Sequence, residues 1–224
     1  MMMSLFSMFD PATSFMFSMN WTLLIMFIVF LPLNYWKSKS RMTILSNKIL
    51  FTLHKEFNSL FSNTTTKKGS TFIPITILLM ILINNITSNF PYNFCSSAHL
   101  SFSLSLSLPI WLSIMIFFWM NLNKTMFSHL VPNGTPTPLM PLMVMIEMTS
   151  NLIRPMALGV RLTANLIAGH LLMALLGNTL NISSVSSMFI LLIQTLFMTF
   201  ELMVAIIQSY VFSILLTLYS SEIS

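Results

Sequence analysis

Apolar runs dominate the pattern of hydrophobic and polar positions along this chain. Six segments stand out by apolar runs or apolar periodicity: 15–36, 44–61, 71–91, 102–122, 138–177 and 185–219. Because about 20 apolar residues make one helical span of a bilayer, the runs at 15–36, 71–91 and 102–122 predict three transmembrane helices. The stretch 101–108 alternates serine with phenylalanine or leucine, which is typical of a strand. Since lipid does not tolerate an open sheet edge, we expect a helix there as well.

The segment 44–61 has an amphipathic pattern instead of a uniform apolar one. Its apolar stripe recurs every three or four positions, at Leu45, Ile49, Leu53, Phe57 and Leu60. Lys48 and Lys55 lie off this stripe. The spacing predicts an amphipathic helix lying on the membrane surface, and a solvated loop is the alternative.

The last two segments are too long for ordinary spans. At a rise of about 1.5 Å per residue, helices over 138–177 and 185–219 would be about 60 Å and about 52 Å long. The hydrocarbon core is about 30 Å thick. Pro155 is a point where the first helix can break or kink, whereas the second contains neither proline nor glycine. Both lengths fit a strongly tilted two-helix hairpin in the C-terminal half.

Composition extends this conclusion to the whole chain. Hydrophobic residues make up 55% of the 224 residues and charged residues 7%, with a mean hydropathy of +0.84. Soluble domains carry about 25% charged residues. A polar shell cannot be built from this composition, which excludes a soluble enzyme, a disordered chain and a nucleic-acid binder despite the net charge of +5. We therefore predict an all-α integral membrane protein, a helical bundle forming a single membrane domain over 1–224.

The basic residues predict the orientation of the bundle. Seven of the ten lysines and arginines lie between Lys37 and Lys68. The positive-inside rule places this stretch, with the amphipathic helix, on the matrix or cytoplasmic side. The N-terminus is then outside and the C-terminus inside. Cys95 is the single cysteine, and the four histidines lack the spacing of metal ligands, so we expect no metal and no cofactor.

Polar and charged side chains recur at heptad spacing within the two long helices. They are Glu147, Arg154 and Arg161 in the first helix, and Gln194, Glu201, Gln208 and Glu222 in the second. An arginine at the bilayer centre costs about 3 to about 15 kcal/mol, depending on the scale. Arg161 lies too far from either end of its helix to reach an interface unless the helix tilts or breaks. A break at Pro155, which would leave Arg154 and Arg161 near an interface, is the structural alternative.

An antiparallel hairpin centred near residue 185 brings these side chains together in pairs. It places Arg161 opposite Gln208, His170 opposite Glu201, and Glu147 opposite Glu222. Three polar pairs in one register predict an aqueous or proton-relaying seam. Small residues also crowd around Arg161, namely Ala157, Gly159, Ala164, Ala168 and Gly169. Such residues allow close helix approach, either by the protein's own helices or by another protein that slides past.

Several motifs point to one family. The block from Val160 to His170, preceded by Ile153-Arg154-Pro155, resembles the signature of mitochondrial F-type ATP synthase subunit a, also called subunit 6. Further similar stretches are Phe9-Asp10-Pro11, Leu53 to Phe57, His129 to Pro132, and Ile207 to Phe212. The resemblance covers the whole chain in order and is to arthropod-type versions in particular. Ser88-Asn89 departs from the family, which usually has a glycine-leucine pair there.

This resemblance implies a non-catalytic, proton-translocating stator subunit in the mitochondrial inner membrane. The N-terminus would lie in the intermembrane space and the C-terminus in the matrix. The implied partners are the c-subunit ring, other membrane-sector and peripheral-stalk subunits, the lipid bilayer and protons, with no nucleic acid and no cofactor.

The resemblance also implies a role for each site residue. Arg161 would be essential, because it deprotonates the ring carboxylate and blocks proton leak between two offset half-channels. His170 and Glu201 match the outer half-channel, and Glu147 and Glu222 lie toward the matrix half-channel. Asn165 and Gln208 would flank the arginine, and Arg154 would belong to the proton path. The small residues that would face the rotor are Ala157, Ala164 and Ala168.

Two other classes compete with this interpretation. A stand-alone secondary transporter or ion channel could use Arg161 as an intramembrane counter-ion, but transporters usually carry inverted repeats and broken helices in both halves. No repeat is evident, and of the two long segments only the first contains proline or glycine. A membrane enzyme would need a nucleophile or metal constellation, and the sequence has none.

Overall fold

The structure is a computed structural model that describes residues 6–12, 18–25, 40–61, 69–90, 93–121, 123–131, 136–179 and 186–222. Within these ranges it contains helices and no strand. The α-helices are α1 Arg41–Leu60, α2 Phe72–Ser88, α3 Leu100–Asn121, α4 Asn123–Leu130, α5 Met140–Asn178 and α6 Ser186–Glu222. Short 3-10 helices occur at Ser7–Phe9, Met19–Ile25, Ser96–Ala98 and Thr137–Leu139.

Three helices in the described ranges are long and apolar enough to cross a membrane. They cover Leu100–Asn121, Met140–Asn178 and Ser187–Ser221. Helix α2 is apolar but shorter. The chain is therefore an all-α integral membrane protein, as its composition predicts. The predicted span at 15–36 lies mostly outside the described residues. Within its described part, Met19–Ile25 forms a 3-10 helix.

Helix α1 follows the amphipathic pattern of its sequence. Ser40 caps its first turn, because the Ser40 hydroxyl oxygen accepts a hydrogen bond from the backbone N–H of Thr43 at 3.3 Å. Phe57, on the apolar stripe, is buried, whereas Leu45 and Ile49 near the start of the stripe are exposed. An exposed apolar stripe suits a helix at a membrane surface, and that location stays a prediction.

The two long helices run without interruption. Helix α5 continues through the buried Pro155, so the break considered above does not occur. Helix α6 is one continuous helix, as expected for a segment without proline or glycine. Their tilt in the membrane and the hairpin as a whole remain predictions.

The alternating serines at 101–108 lie in helix α3, not in a strand. A serine hydroxyl is tolerated in an apolar helix because it can donate a hydrogen bond to a backbone carbonyl one turn earlier. Ser103 Oγ bonds the Leu100 carbonyl oxygen at 3.2 Å, and Ser209 Oγ of α6 bonds that of Ile206 at 2.7 Å. The segment is helical despite its local alternation, because a helix in lipid satisfies the hydrogen bonds of its backbone internally.

The chain divides into two compact units. The first unit comprises Met1–Leu33, Leu78–Ser103 and Arg161–Val211. Its most buried side chains include Ile81, Leu162, Thr163, Ala205 and Ser209. The second unit comprises Asn34–Ile77, Leu104–Val160 and Phe212–Ser224, and its core includes Phe57, Phe61, Phe118, Leu158 and Phe212.

Candidate functional site

The first unit contains a cavity of about 320 Å³ between helices α2, α5 and α6. Apolar residues form much of its wall, with six polar side chains among them: Asn85, Asn89, Asn165, His170, Glu201 and Gln208. Four of these six are residues that the sequence had singled out. The cavity therefore brings together the acid, the imidazole and the amides of the predicted seam.

The amides of Asn165 and Gln208 join α5 to α6. Asn165 Nδ2 donates a hydrogen bond to Gln208 Oε1 at 3.2 Å, and Gln208 is buried. The pairing expected from the hairpin register was Gln208 with Arg161. The hydrogen bond instead lies one helical turn further along α5, because side chains on facing helices interdigitate and do not meet in index order.

Glu201 occupies the space that Gly169 leaves free. A Cβ atom built on Gly169 would lie 2.5 Å from Glu201 Oε1 and 3.0 Å from the carboxyl carbon. Glu201 Oε1 is buried and has no hydrogen-bond partner among the described residues. The glycine thus lets the carboxyl group lie close against the backbone of α5.

His170 lines the same cavity as Glu201 without a hydrogen bond between the two in the described part of the chain. The ring of Phe9 meets the His170 imidazole edge-on, with ring centroids 6.4 Å apart. Phe9 belongs to the Phe-Asp-Pro motif near the start of the chain. This contact supplies a structural reason for a motif that means little by itself.

Arg161 differs from every residue described so far. It lies near the middle of α5, is exposed, and makes no hydrogen bond or ion pair with any residue that the structure describes. Ala164 and Ala168, three and seven positions later, are also exposed. The guanidinium therefore shares an open, small-residue face of the helix.

The second unit holds Arg154, the other arginine of α5. Arg154 Nη2 lies 4.0 Å from Glu147 Oε1, and the Arg154 guanidinium carbon lies 5.2 Å from the centroid of the Tyr219 ring. A carboxylate and an aromatic face both compensate its charge. Ala157 is exposed in this unit, and the side chain of Glu222 lies outside the described residues.

Sequence reasoning missed Asn85 and Asn89 as wall residues. Asn85 is fully buried, at 0% exposure, and Asn89 is half-buried. The available signal was the occurrence of amides inside an apolar helix, together with the Ser88-Asn89 departure. Nowhere in the described ranges, the cavity included, do three or more histidine, cysteine or acidic side chains converge as a metal site would require.

Known proteins match this chain along nearly its whole length. The family model described as ATP synthase A chain matches residues 11–221. The chain is 51% identical to ATP synthase subunit a of Drosophila melanogaster, 50% to that of Locusta migratoria and 48% to that of Anopheles gambiae. Each of these alignments covers the full length of both chains. The chain belongs to the ATP synthase A chain family, whose members are membrane-sector, proton-translocating subunits.

Proposed function

We propose that this chain is the stator subunit that passes protons through two offset half-channels to and from the carboxylates of a c-subunit ring. The observation that carries the proposal is Arg161, an exposed cation near the middle of an apolar helix that no described residue pairs with. Lipid makes such a charge expensive. A carboxylate supplied from outside the chain removes that cost.

Arg161 then acts on the ring carboxylate in two ways. A ring carboxylate crosses lipid only in its protonated form, because a buried ionised acid is prohibitively costly. Beside the fixed guanidinium the ionised form is favoured, so the proton leaves toward the matrix. Since arginine does not deprotonate in proteins, the same cation prevents protons from passing directly between the half-channels.

The cavity of the first unit supports the entry side of this path. Glu201 can take up and release a proton there, and His170 places an imidazole in the same cavity. On the matrix side the path would use Glu147 and Glu222, with Arg154 beside Glu147. Each proton that crosses draws about 2.3 kcal/mol per 100 mV of membrane potential.

The face around Arg161 supports a moving partner. Ala157, Ala164 and Ala168 are exposed and small, so they allow another helix to approach the backbone of α5 closely. A rotor must slide past its stator without interlocking side chains. This face suits a ring of c subunits, with other membrane-sector and peripheral-stalk subunits holding the chain in place.

The remaining parts of the proposal follow from this role. The chain is not an enzyme by itself; it conducts protons for the catalytic part of the complex. It lies in the mitochondrial inner membrane, with its N-terminus in the intermembrane space and its C-terminus in the matrix. The basic stretch between Lys37 and Lys68 supports that orientation.

The deciding experiment replaces Arg161 in the intact complex. Arg161→Gln should abolish proton-driven ATP synthesis while the amount of assembled complex on native gels stays unchanged. Lys124→Gln, which removes an exposed cation outside the long helices, is the control and should retain synthesis. Full synthesis by Arg161→Gln would overturn the mechanism.

Cross-linking separates the stator from a stand-alone transporter or channel. Single cysteines at Ala164 and Ala168, in a Cys95→Ser background, should form adducts with a helix of the c ring. Adducts at neither position would favour the transporter, because its Arg161 would pair with a substrate and not with a ring.

A further inference from the structure

The second unit contains a groove of about 670 Å³ where the first turn of α2 meets α3 and the last turns of α6. Its wall is mostly apolar and includes Ile73 and Pro74 of α2, Ile114 and Phe117 of α3, and Leu216 of α6. Ligand sites in proteins have volumes of about 300–1,000 Å³ and apolar walls with a few placed polar groups. Because three helices line it, the groove can enclose a flexible apolar chain that a flat helix face would only touch.

One serine of the groove wall differs from the others in its hydrogen bonding. Ser113 and Ser220 each donate to a carbonyl oxygen of their own helix, at 2.7 Å in both cases. The Oγ atom of Ser70, just before α2, is buried and has no hydrogen-bond partner among the described residues. A buried hydroxyl without a partner is unfavourable. An occupant that brings an oxygen atom to the Ser70 end of the groove would satisfy it.

Helix α1 brings positive charge to the same end. The Thr71 hydroxyl, next to Ser70 in the chain, shares a hydrogen bond of 3.0 Å with Nδ1 of His54 on α1. Lys55 follows His54 and is exposed, with no carboxylate in ion-pair distance among the described residues. The helix as a whole carries three basic residues against one acidic residue, a net charge of +2. The end with the unsatisfied hydroxyl therefore lies beside a basic helix.

An apolar groove with a polar, basic end matches the chemistry of an anionic phospholipid. An acyl chain is flexible and apolar, and the headgroup presents phosphate and ester oxygens that accept hydrogen bonds. Basic pockets beside membrane helices recognise anionic headgroups, and lysine binds a phosphate as a point charge. A zwitterionic headgroup adds an ammonium group, which Lys55 would repel.

We propose that this groove binds an anionic phospholipid. One acyl chain lies between α2, α3 and α6, and the headgroup lies at the end formed by Ser70 and Lys55. The site is separate from the proton path, and it gives a role to Lys55 within the Leu53 to Phe57 motif. It does not depend on the proposed function, because it requires only that the chain lies in a phospholipid membrane.

Photolabelling of the intact complex tests the proposal. The complex is reconstituted into phosphatidylcholine vesicles that contain a trace of phosphatidylglycerol or phosphatidylcholine with a diazirine on one acyl chain, and the labelled residues are identified by mass spectrometry. Phosphatidylglycerol should label Ile73 and Ile114 about fivefold more than phosphatidylcholine does, the factor that one lysine contributes near anionic lipid. Leu112 is exposed on α3 and does not line the groove, so both probes should label it equally.

Two substitutions separate the headgroup end from the apolar groove. Lys55→Gln should remove the preference for phosphatidylglycerol, whereas Lys48→Gln, the control, should keep it, because Lys48 is equally exposed but lies two turns earlier on α1. Ser113→Phe places a large side chain in the groove and should reduce labelling of Ile73 by both probes without changing Leu112. Native gels check that each variant complex is assembled.

Three results would overturn the proposal. Equal labelling of Ile114 by the two probes would mean that bulk lipid fills the groove. Labelling of Leu112 with none at Ile73 or Ile114 would mean that a protein segment covers it. Equal losses of preference in Lys55→Gln and Lys48→Gln would mean that the membrane surface attracts the lipid without a site. Synthesis by Arg161→Gln would overturn the proposed function and leave each of these results unaffected.

Discussion

Gly169 of α5 and Glu201 of α6 share one space: a Cβ atom on the glycine would lie 2.5 Å from the Glu201 carboxyl oxygen Oε1. The two helices therefore approach closely at the residue that we propose accepts protons. The carboxyl group lies where it does because position 169 has no side chain. This relationship links a backbone requirement to the proton path.

Replacing Gly169 should impair proton-driven ATP synthesis without destabilising the complex. Gly169→Ala should push the Glu201 carboxyl group away from its position and slow proton-driven ATP synthesis. The complex should stay assembled, because alanine favours a helix over glycine by about 1 kcal/mol and the displaced atom is the end of a flexible side chain. Synthesis rate and thermal stability of the complex are the two measurements.

Gly177 is the matched control for that substitution. It lies on the same helix, and a Cβ atom there would meet nothing within 4 Å. Gly177→Ala should leave synthesis unchanged. Equal rates for Gly169→Ala and the wild type would show that Glu201 does not depend on this space.

The hydrogen bond between Asn165 and Gln208 should appear as an energetic coupling. A double-mutant cycle of Asn165→Ala and Gln208→Ala, measured by thermal inactivation of the complex, should give an interaction free energy of about 0.5–1.5 kcal/mol. Thr199, which is exposed on α6, serves as the comparison, and Asn165→Ala combined with Thr199→Ala should be additive. Additivity in the Asn165–Gln208 cycle itself would rule out a contribution of this bond to stability.

The two arginines of α5 should behave differently when replaced. Arg154 is held by Glu147 and by the Tyr219 ring, so Arg154→Gln should lower the stability of the complex by about 1 kcal/mol. Tyr219→Leu should reproduce part of that loss. Arg161→Gln should leave thermal stability unchanged while it abolishes synthesis. A larger stability loss for Arg161→Gln than for Arg154→Gln would contradict this distinction.

Cys95, between α2 and α3, provides a test that depends on pH. Burial raises the pKa of the Cys95 thiol, although its Sγ atom lies 4.0 Å from Ser97 Oγ. The folded protein thus favours the neutral thiol, and this contribution to stability is present below the pKa of the unfolded state and lost as the pH rises through the folded pKa. Labelling by N-ethylmaleimide, which needs the thiolate, should be slow at neutral pH and accelerate with rising pH.

Unfolding supplies the control for the cysteine. Denaturation removes the burial, so labelling at a given pH should become faster, and Cys95→Ser should abolish it. Fast labelling of the assembled complex at neutral pH would contradict the burial of this thiol.

The sequence by itself determined the class of the molecule and its most important charge. A chain with 7% charged residues cannot cover a soluble globule, and apolar runs longer than 30 residues must be helical in lipid. The same logic overrode the alternating serines at 101–108, which lie in α3. Arg161 could be singled out from the sequence alone, because lipid disfavours an arginine that lies far from both ends of an apolar helix.

The tertiary structure decided which polar groups share one cavity. Heptad spacing identifies the face of a helix that a side chain lies on, but the axial offset between two helices depends on how their side chains interlock. Gln208 consequently bonds Asn165 and not Arg161. Asn85 and Asn89 join Glu201 because α2 packs beside α5 and α6 in the first unit, a fact that no periodicity within α2 contains.

The same distinction applies to the two arginines. Sequence spacing treats Arg154 and Arg161 alike, seven residues apart on one helix. Three-dimensional contacts separate them, since Glu147 and Tyr219 compensate Arg154 and no described residue compensates Arg161. Sequence reveals that a charge lies where lipid disfavours it, because composition and distance along a helix suffice for that. Whether the protein neutralises the charge internally depends on contacts between distant segments, which folding alone brings together.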